Sequence, residues 1–242
     1  MAQIRARSQQ LRESVVIAES QVVGEAAHPS DVTPRVVRVS DPVIGFDLDM
    51  TLVDSAAGII TSVQHVCARY GIDASADDIA ATIGLPLDRV FPMWLPDEPY
   101  DVLLAAYREH YGQHGVPLSV ALPGAADTLA AVRASGARVL VVTAKHGSMA
   151  ERVLEVAGLP FDIVVGEAFA EQKAEVLRAH SAVTYVGDHP GDMRAARLAG
   201  AMAIGVTTGP SSSQELIDAG AHEVLSGLTE WTPHLPLPKG LS

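Results

Sequence analysis

Lysine is scarce in this 242-residue chain: Lys145, Lys173 and Lys239 are its lysines, and 29 acidic residues against 17 Lys and Arg give a formal net charge of -12. Neutralising a phosphate backbone takes clustered Lys and Arg, so the balance argues against a nucleic-acid partner. Cysteine is limited to Cys67, which cannot form an internal disulfide, and a reducing cytoplasm is the expected location. Nor does any apolar run approach the ~20 residues that span a bilayer, so no membrane partner is expected. Near the N-terminus, Arg5, Arg7 and Arg12 are followed by Glu13, Glu19 and Glu25 around the short apolar stretch Val15 to Ala18. That stretch is too short for a secretory signal and its surroundings too acidic for a transit peptide.

What is present is apolar and regularly spaced. With 48% hydrophobic and 19% charged residues, the chain can bury a substantial core, as one large domain or a domain with an insertion. Residues 1–40 are polar, offer at most one weak helix around Gln9 to Val22, and are read as a flexible extension. From Val43 onward, short Val- and Ile-rich runs (43–46, 139–142, 163–165, 183–186 and 202–206) alternate with helical patterns near 125–135, 148–157, 172–180, 191–199 and 213–219. This cadence predicts an α/β fold with a parallel sheet covered on both faces.

About ninety residues separate the first run from the second, far more than an ordinary crossover, and their pattern is helical. Expected helices are 57–70, 76–83, 86–93 and 99–114, with Gly71, Gly84 and Gly115 as breaks, so residues 57–120 are expected to form a helical cap. The core would then comprise 41–56 and 121–232, with hinges near Ser55 and Leu122, and the proline-punctuated residues 233–242 a flexible tail.

The chemistry falls at strand ends. Gly45-Phe46-Asp47-Leu48-Asp49-Met50-Thr51 sets two carboxylates two residues apart, where alternation on a strand aims both at one volume beyond its carboxyl edge. The second strand ends Val142-Thr143-Ala144-Lys145, a hydroxyl and amides suited to phosphate oxygens, although Thr143 also fits a helix N-cap. Lys173 falls near the start of its helix, where a positive charge opposes the macrodipole, unless it is simply a surface lysine. The fourth strand ends Gly187-Asp188-His189-Pro190-Gly191-Asp192, whose paired hard oxygens suit Mg²⁺, although one Asp-rich turn alone proves little.

The order D-x-D-x-T, strand-end Thr, helix-start Lys and G-D-x-x-x-D resembles the haloacid dehalogenase-like hydrolase superfamily, and within it the phosphoglycolate-phosphatase-like branch with a small helical cap. The resemblance covers about residues 43–230. It implies a Rossmann-like sheet of order 5-4-1-2-3, with Asp47 as the nucleophile taking the phosphoryl group and Asp49 as the acid and base. It also implies Thr143 and Lys173 as phosphate-binding residues, and Mg²⁺ held by Asp47, the Asp49 backbone carbonyl and Asp188 with Asp192 in support. Dehalogenase members lack the second acid, and residues 56–121 lack the cap lysine of phosphonate-cleaving relatives. The expected function is Mg²⁺-dependent hydrolysis of a small phosphorylated metabolite by a monomer or homodimer, with Leu85 and Arg89 as candidate specificity residues. A β-phosphoglucomutase-type phosphosugar mutase is the enzymatic alternative, and a binding protein on the same fold is the non-catalytic one. His189 departs from relatives that often carry a small polar residue there, either tuning metal affinity or facing solvent.

Overall fold

The computed structural model describes residues 41–231. The expected extension (1–40), its weak helix, and the tail (233–242) lie outside them.

In chain order the strands are β1 (Val43–Phe46), β2 (Val53–Asp54), β3 (Val120–Ala121), β4 (Arg138–Val142), β5 (Ile163–Val165), β6 (Ala182–Gly187), β7 (Met202–Val206) and β8 (Glu223–Leu225). Six of them form one parallel sheet in the order β5-β4-β1-β6-β7-β8, and β2 and β3 pair antiparallel as a separate ribbon. The five expected strands occur in the expected order, with β8 added at the β7 edge. β8 opens on Glu223 and so lacks the unbroken apolar run that marks the equally short β5.

Alternation along the strands divides the interior. Ile44 and Phe46 of β1 and Val139 and Val141 of β4 face one apolar cluster; Val43, Leu140 and Val142 face the other. The first is covered by α5 (Ala125–Ala134) and α6 (Gly147–Val156), the second by α7 (Glu171–Ala179), α8 (Pro190–Ala199) and α9 (Ser213–Asp218). Being covered on both faces is what makes these strands read as unbroken apolar runs.

Between β2 and β3 the chain is helical: α1 (Ala56–Ala68), α2 (Ala76–Ala80), α3 (Leu87–Val90), a 3₁₀ turn at Phe91–Met93, α4 (Tyr100–His110) and a π-helical turn at Tyr111–Gly115. Its buried residues, Cys67, Phe91, Tyr107 and Tyr111 among them, continue the cluster on the Phe46 side of the sheet. Among the described residues, no helix is long and apolar enough to cross a membrane.

Candidate active site

β1 lies between β4 and β6, with Phe46 opposite Val141 on one side and Val186 on the other. Strand pairing continues one residue further, because the Asp47 N–H donates to the Val186 carbonyl at 2.8 Å. Leu48 is fully buried in the core, so Asp47 and Asp49 are left to line the same cavity. The N–H groups of Thr51, Leu52 and Val53 then converge on the Leu48 carbonyl at 3.3, 3.0 and 3.1 Å, and this tight turn leads into the ribbon and the helical insertion.

Lys173 is a buried residue in the first turn of α7, which excludes the surface-lysine alternative. Its Nζ donates to Asp192 Oδ1 at 2.6 Å and lies 3.0 Å from Asp47 Oδ1, an ionic contact without hydrogen-bond alignment. Two carboxylates thus compensate the unfavourable macrodipole position. Asp192, in the first turn of α8, accepts from the His189 N–H at 3.1 Å through Oδ2. Asp188 Oδ1 accepts from Thr51 Oγ1 at 2.8 Å, while its Oδ2 is buried with no hydrogen-bond partner among the described residues.

The electrostatics follow from this crowding. Burial pushes the Asp47 carboxyl up to about 7 against the pull of Lys173, with Asp192 and Asp49 adding to the rise. Asp188 is held well above the usual carboxylate range by burial and then by Asp47 and Asp192, with the Thr51 hydrogen bond and Lys173 opposing. Burial alone would lower the Lys173 ammonium, but Asp192 and Asp47 outweigh it and hold it well above the ordinary lysine value. One lysine cannot balance three buried carboxylates.

Asp47, Asp188 and Asp192 each offer an oxygen within 4.8 Å of the others. Three hard oxygen ligands, surplus negative charge and an orphaned carboxylate oxygen fit a small divalent cation such as Mg²⁺.

Asp49 has a different environment. Its Oδ1 accepts from Ser55 Oγ at 2.5 Å and lies 3.2 Å from Lys145 Nζ, which sits 4.1 Å over the centre of the Tyr111 ring. Burial would lower the Lys145 ammonium, but Asp49 foremost, then Tyr111 and Tyr107, raise it above the ordinary value. Thr143 is buried at the end of β4, and its Oγ1 accepts from the Lys145 N–H at 3.1 Å. It does not cap α6, whose N-cap position is His146.

Asp47, Asp49, Thr143, Lys145 and Lys173 line one cavity of about 570 Å³, whose opposite wall comes from the insertion and includes Gly84, Leu85, Arg89, Tyr107 and Tyr111. Arg89 is exposed, with its guanidinium 5.0 Å over the Phe169 ring, and Arg108 pairs with Glu167 at 2.7 Å. Both contacts join the insertion to the loop between β5 and α7. His189 does not simply face solvent: a Cβ built on Gly84, whose φ is +98°, would lie 3.4 Å from the ring, so the glycine turn packs on it.

The structure therefore brings Asp47, Asp49, Thr143, Lys173, Asp188 and Asp192 to one sheet edge, and Leu85 and Arg89 to the facing wall. Sequence reasoning missed Thr51 and Ser55 as partners of Asp188 and Asp49, and it gave Lys145 no partner. Thr51 is 137 residues from Asp188, a separation that leaves no local signal. Lys145, one of two lysines at strand-to-helix positions, offered a clue through that placement alone.

Known proteins agree with this geometry. Residues 44–206 match the family model of haloacid dehalogenase-like hydrolases. The chain is 32% identical to the probable phosphatase IndB of Dickeya dadantii, across 78% of this chain and 91% of that protein. It is 31% identical to the phosphoglycolate phosphatase of Agrobacterium fabrum, across 71% and 83%. A haloacid dehalogenase-like family hydrolase from Streptococcus pneumoniae superposes with a TM-score of 0.69 at 25% identity, covering 78% of this chain and 96% of that one. The chain belongs to the haloacid dehalogenase-like hydrolase family, in its phosphoglycolate-phosphatase-like branch of phosphoric monoester hydrolases.

Proposed function

We propose that this protein hydrolyses a small phosphate monoester, of the phosphoglycolate or short sugar phosphate kind, through a phosphoaspartate at Asp47 and with Mg²⁺. The observation supporting this most directly is the buried trio Asp47, Asp188 and Asp192 beside Lys173, with Asp188 Oδ2 unpartnered among the described residues and a second acid, Asp49, lining the same cavity as Asp47. When bound by Asp47, Asp188 and Asp192, with the Asp49 backbone carbonyl, Mg²⁺ supplies positive charge to the phosphoryl oxygens. Attack by a carboxylate on a phosphate dianion meets like-charge repulsion of about 4 kcal/mol per unit-charge pair at 4 Å in an effective dielectric near 20, so cations must surround the reacting group.

Lys173 and Thr143 hold phosphoryl oxygens, and Lys173 also keeps Asp47 in place. A carboxylate oxygen of Asp47 forms the new bond to phosphorus as the ester oxygen departs. Asp49 gives its proton to that leaving oxygen, then takes a proton from the water that opens the phosphoaspartate, releasing inorganic phosphate and restoring both acids. Ser55 and Lys145 hold Asp49 in the orientation both transfers require.

Residues 57–120 serve as a cap over the site, with the 83–87 turn and Arg89 in contact with the alcohol fragment. Closure excludes water from the first step. A single cysteine and the absence of membrane-spanning helices among the described residues support work in the cytoplasm.

The test is a screen of phosphoglycolate, glucose phosphates and a nucleotide with the purified full chain, in EDTA and in excess Mg²⁺. Turnover of a compact ester that EDTA abolishes and Mg²⁺ restores is the expected result. Full activity in EDTA would remove the metal assignment, and isomerisation of a glucose phosphate without net phosphate release would replace the hydrolase with a mutase.

Asp49→Asn is expected to slow turnover by at least ~10²-fold for alkyl phosphates, the low end for lost acid-base catalysis, and by less for nitrophenyl phosphate, whose leaving group departs unprotonated. The measurement is kcat/KM for the two esters in both proteins. Equal losses would count against the acid role.

A further inference from the structure

Gly209 lies in the turn after β7, outside the sequence motifs that mark the site. We infer that it is a positioning residue for Asp188: its missing side chain leaves the room that the carboxylate occupies, and this sets the affinity for Mg²⁺. The inference rests on the metal reading above.

A Cβ built on Gly209 would overlap Asp188 Oδ2 and lie 2.6 Å from Cγ and 3.0 Å from Cβ of the same residue. The first overlap alone would be relieved by turning the carboxylate. The other two would not, because turning the carboxylate about Cβ–Cγ leaves both carbons in place, and moving Cγ takes a change of χ1 that carries the whole carboxylate away from Thr51. Turning is restricted in any case, since Thr51 Oγ1 holds Oδ1 at 2.8 Å.

Nor is the turn free to withdraw. Thr208 Oγ1 donates to the Met50 carbonyl in the loop that carries Asp47 and Asp49, and the Thr207 N–H donates to the Leu225 carbonyl at 3.0 Å. Gly209 is not among the glycines with positive φ, so alanine meets no backbone obstacle there and a substitution tests space alone. An added methyl group must therefore be accommodated by moving Asp188, the acid whose Oδ2 is buried and, among the described residues, unpartnered. Gly187 stands in the same relation to Asp192, whose Cγ a Cβ at 187 would approach to 2.6 Å. Asp188 and Asp192, on either side of the start of α8, thus both lie against bare backbone.

The experiment is calorimetric titration of Mg²⁺ into the full chain, stripped of metal, as wild type, Gly209→Ala and Thr208→Val, with thermal unfolding in EDTA for each. Gly209→Ala is expected to raise the Kd for Mg²⁺ by tenfold or more, the range found when a group supporting a metal ligand is altered, in a protein that still unfolds cooperatively in EDTA at a midpoint lowered by the overpacking. Thr208→Val loosens the turn without adding an atom beside Asp188 and is expected to raise the Kd by a smaller factor. If Gly209→Ala does not fold, the Thr208→Val titration decides. Wild-type affinity in a folded Gly209→Ala protein, or in Thr208→Val where that variant decides, would overturn the inference. Absence of Mg²⁺ binding by the wild type would overturn the metal reading and this inference with it.

Discussion

Asp47→Asn is expected to lower turnover by ~10⁴-fold or more, the scale on which loss of a covalent nucleophile is felt, while leaving the protein folded. An amide of nearly the same shape fits the same space, but it neither attacks phosphorus nor offers a charged oxygen to a cation. The direction of the stability effect sharpens this result. Burial and the neighbouring acids push Asp47 up to about 7, so its ionised form is held at a cost above that pH. A neutral Asn removes the cost. In EDTA at pH 8 the variant is therefore expected to unfold at or above the wild-type midpoint while its activity is lost. Rates of phosphate release and unfolding curves of the two proteins provide the comparison, and near-wild-type turnover would reassign the nucleophile.

The metal-free protein is expected to lose stability as pH rises from 5 to 8, and excess Mg²⁺ to abolish most of that loss. Asp47 shifts upward, from 3.8 to about 7, so between those values the folded state binds more protons than the unfolded chain. Stability then falls as pH rises through that window, and Asp188, raised in the same direction, extends the fall. At about 1.4 kcal/mol per pKa unit, the part of the Asp47 shift that lies between pH 5 and about 7 contributes on the order of 3 kcal/mol as an upper bound. Lys173 is raised well above its ordinary value, so its contribution is present throughout this range and is lost only at far higher pH.

His110 and His189 are lowered, by burial first, and work in the opposite sense below the ordinary histidine value. Comparing metal-free with Mg²⁺-saturated protein isolates the carboxylates, because a bound cation needs them ionised while the histidines are common to both states. Urea midpoints at pH 5 and pH 8 give the answer. A metal-free protein that gains stability over this interval, by as much as the Mg²⁺-bound form, would contradict the description of the site.

Features written in neighbouring residues were legible in the sequence. The two-residue spacing of Asp47 and Asp49 follows from strand alternation, and the Val- and Ile-rich runs follow from burial on both faces. The helices of the insertion were foreseen within a few residues, apart from the 3₁₀ and π-helical turns at 91–93 and 111–115 that end two of them. Lys173 showed itself by an unfavourable position at a helix start, and the structure identified the pair of carboxylates that justifies it.

By itself, then, the sequence determined the alternating αβ architecture, the insertion after the first strand and the chemical types gathered at the strand ends, because each depends on periodicity or spacing along a short stretch of chain. Only the tertiary structure decided that Thr51 clamps Asp188 across 137 residues, that Lys145 pairs with Asp49 against the Tyr111 ring, that Asp188 keeps one oxygen unpartnered among the described residues, and that Gly209 stands against it. These are contacts between distant segments. Whether a buried charge is matched or left over depends on which side chains the packed sheet brings within a few ångströms, and no local pattern encodes that.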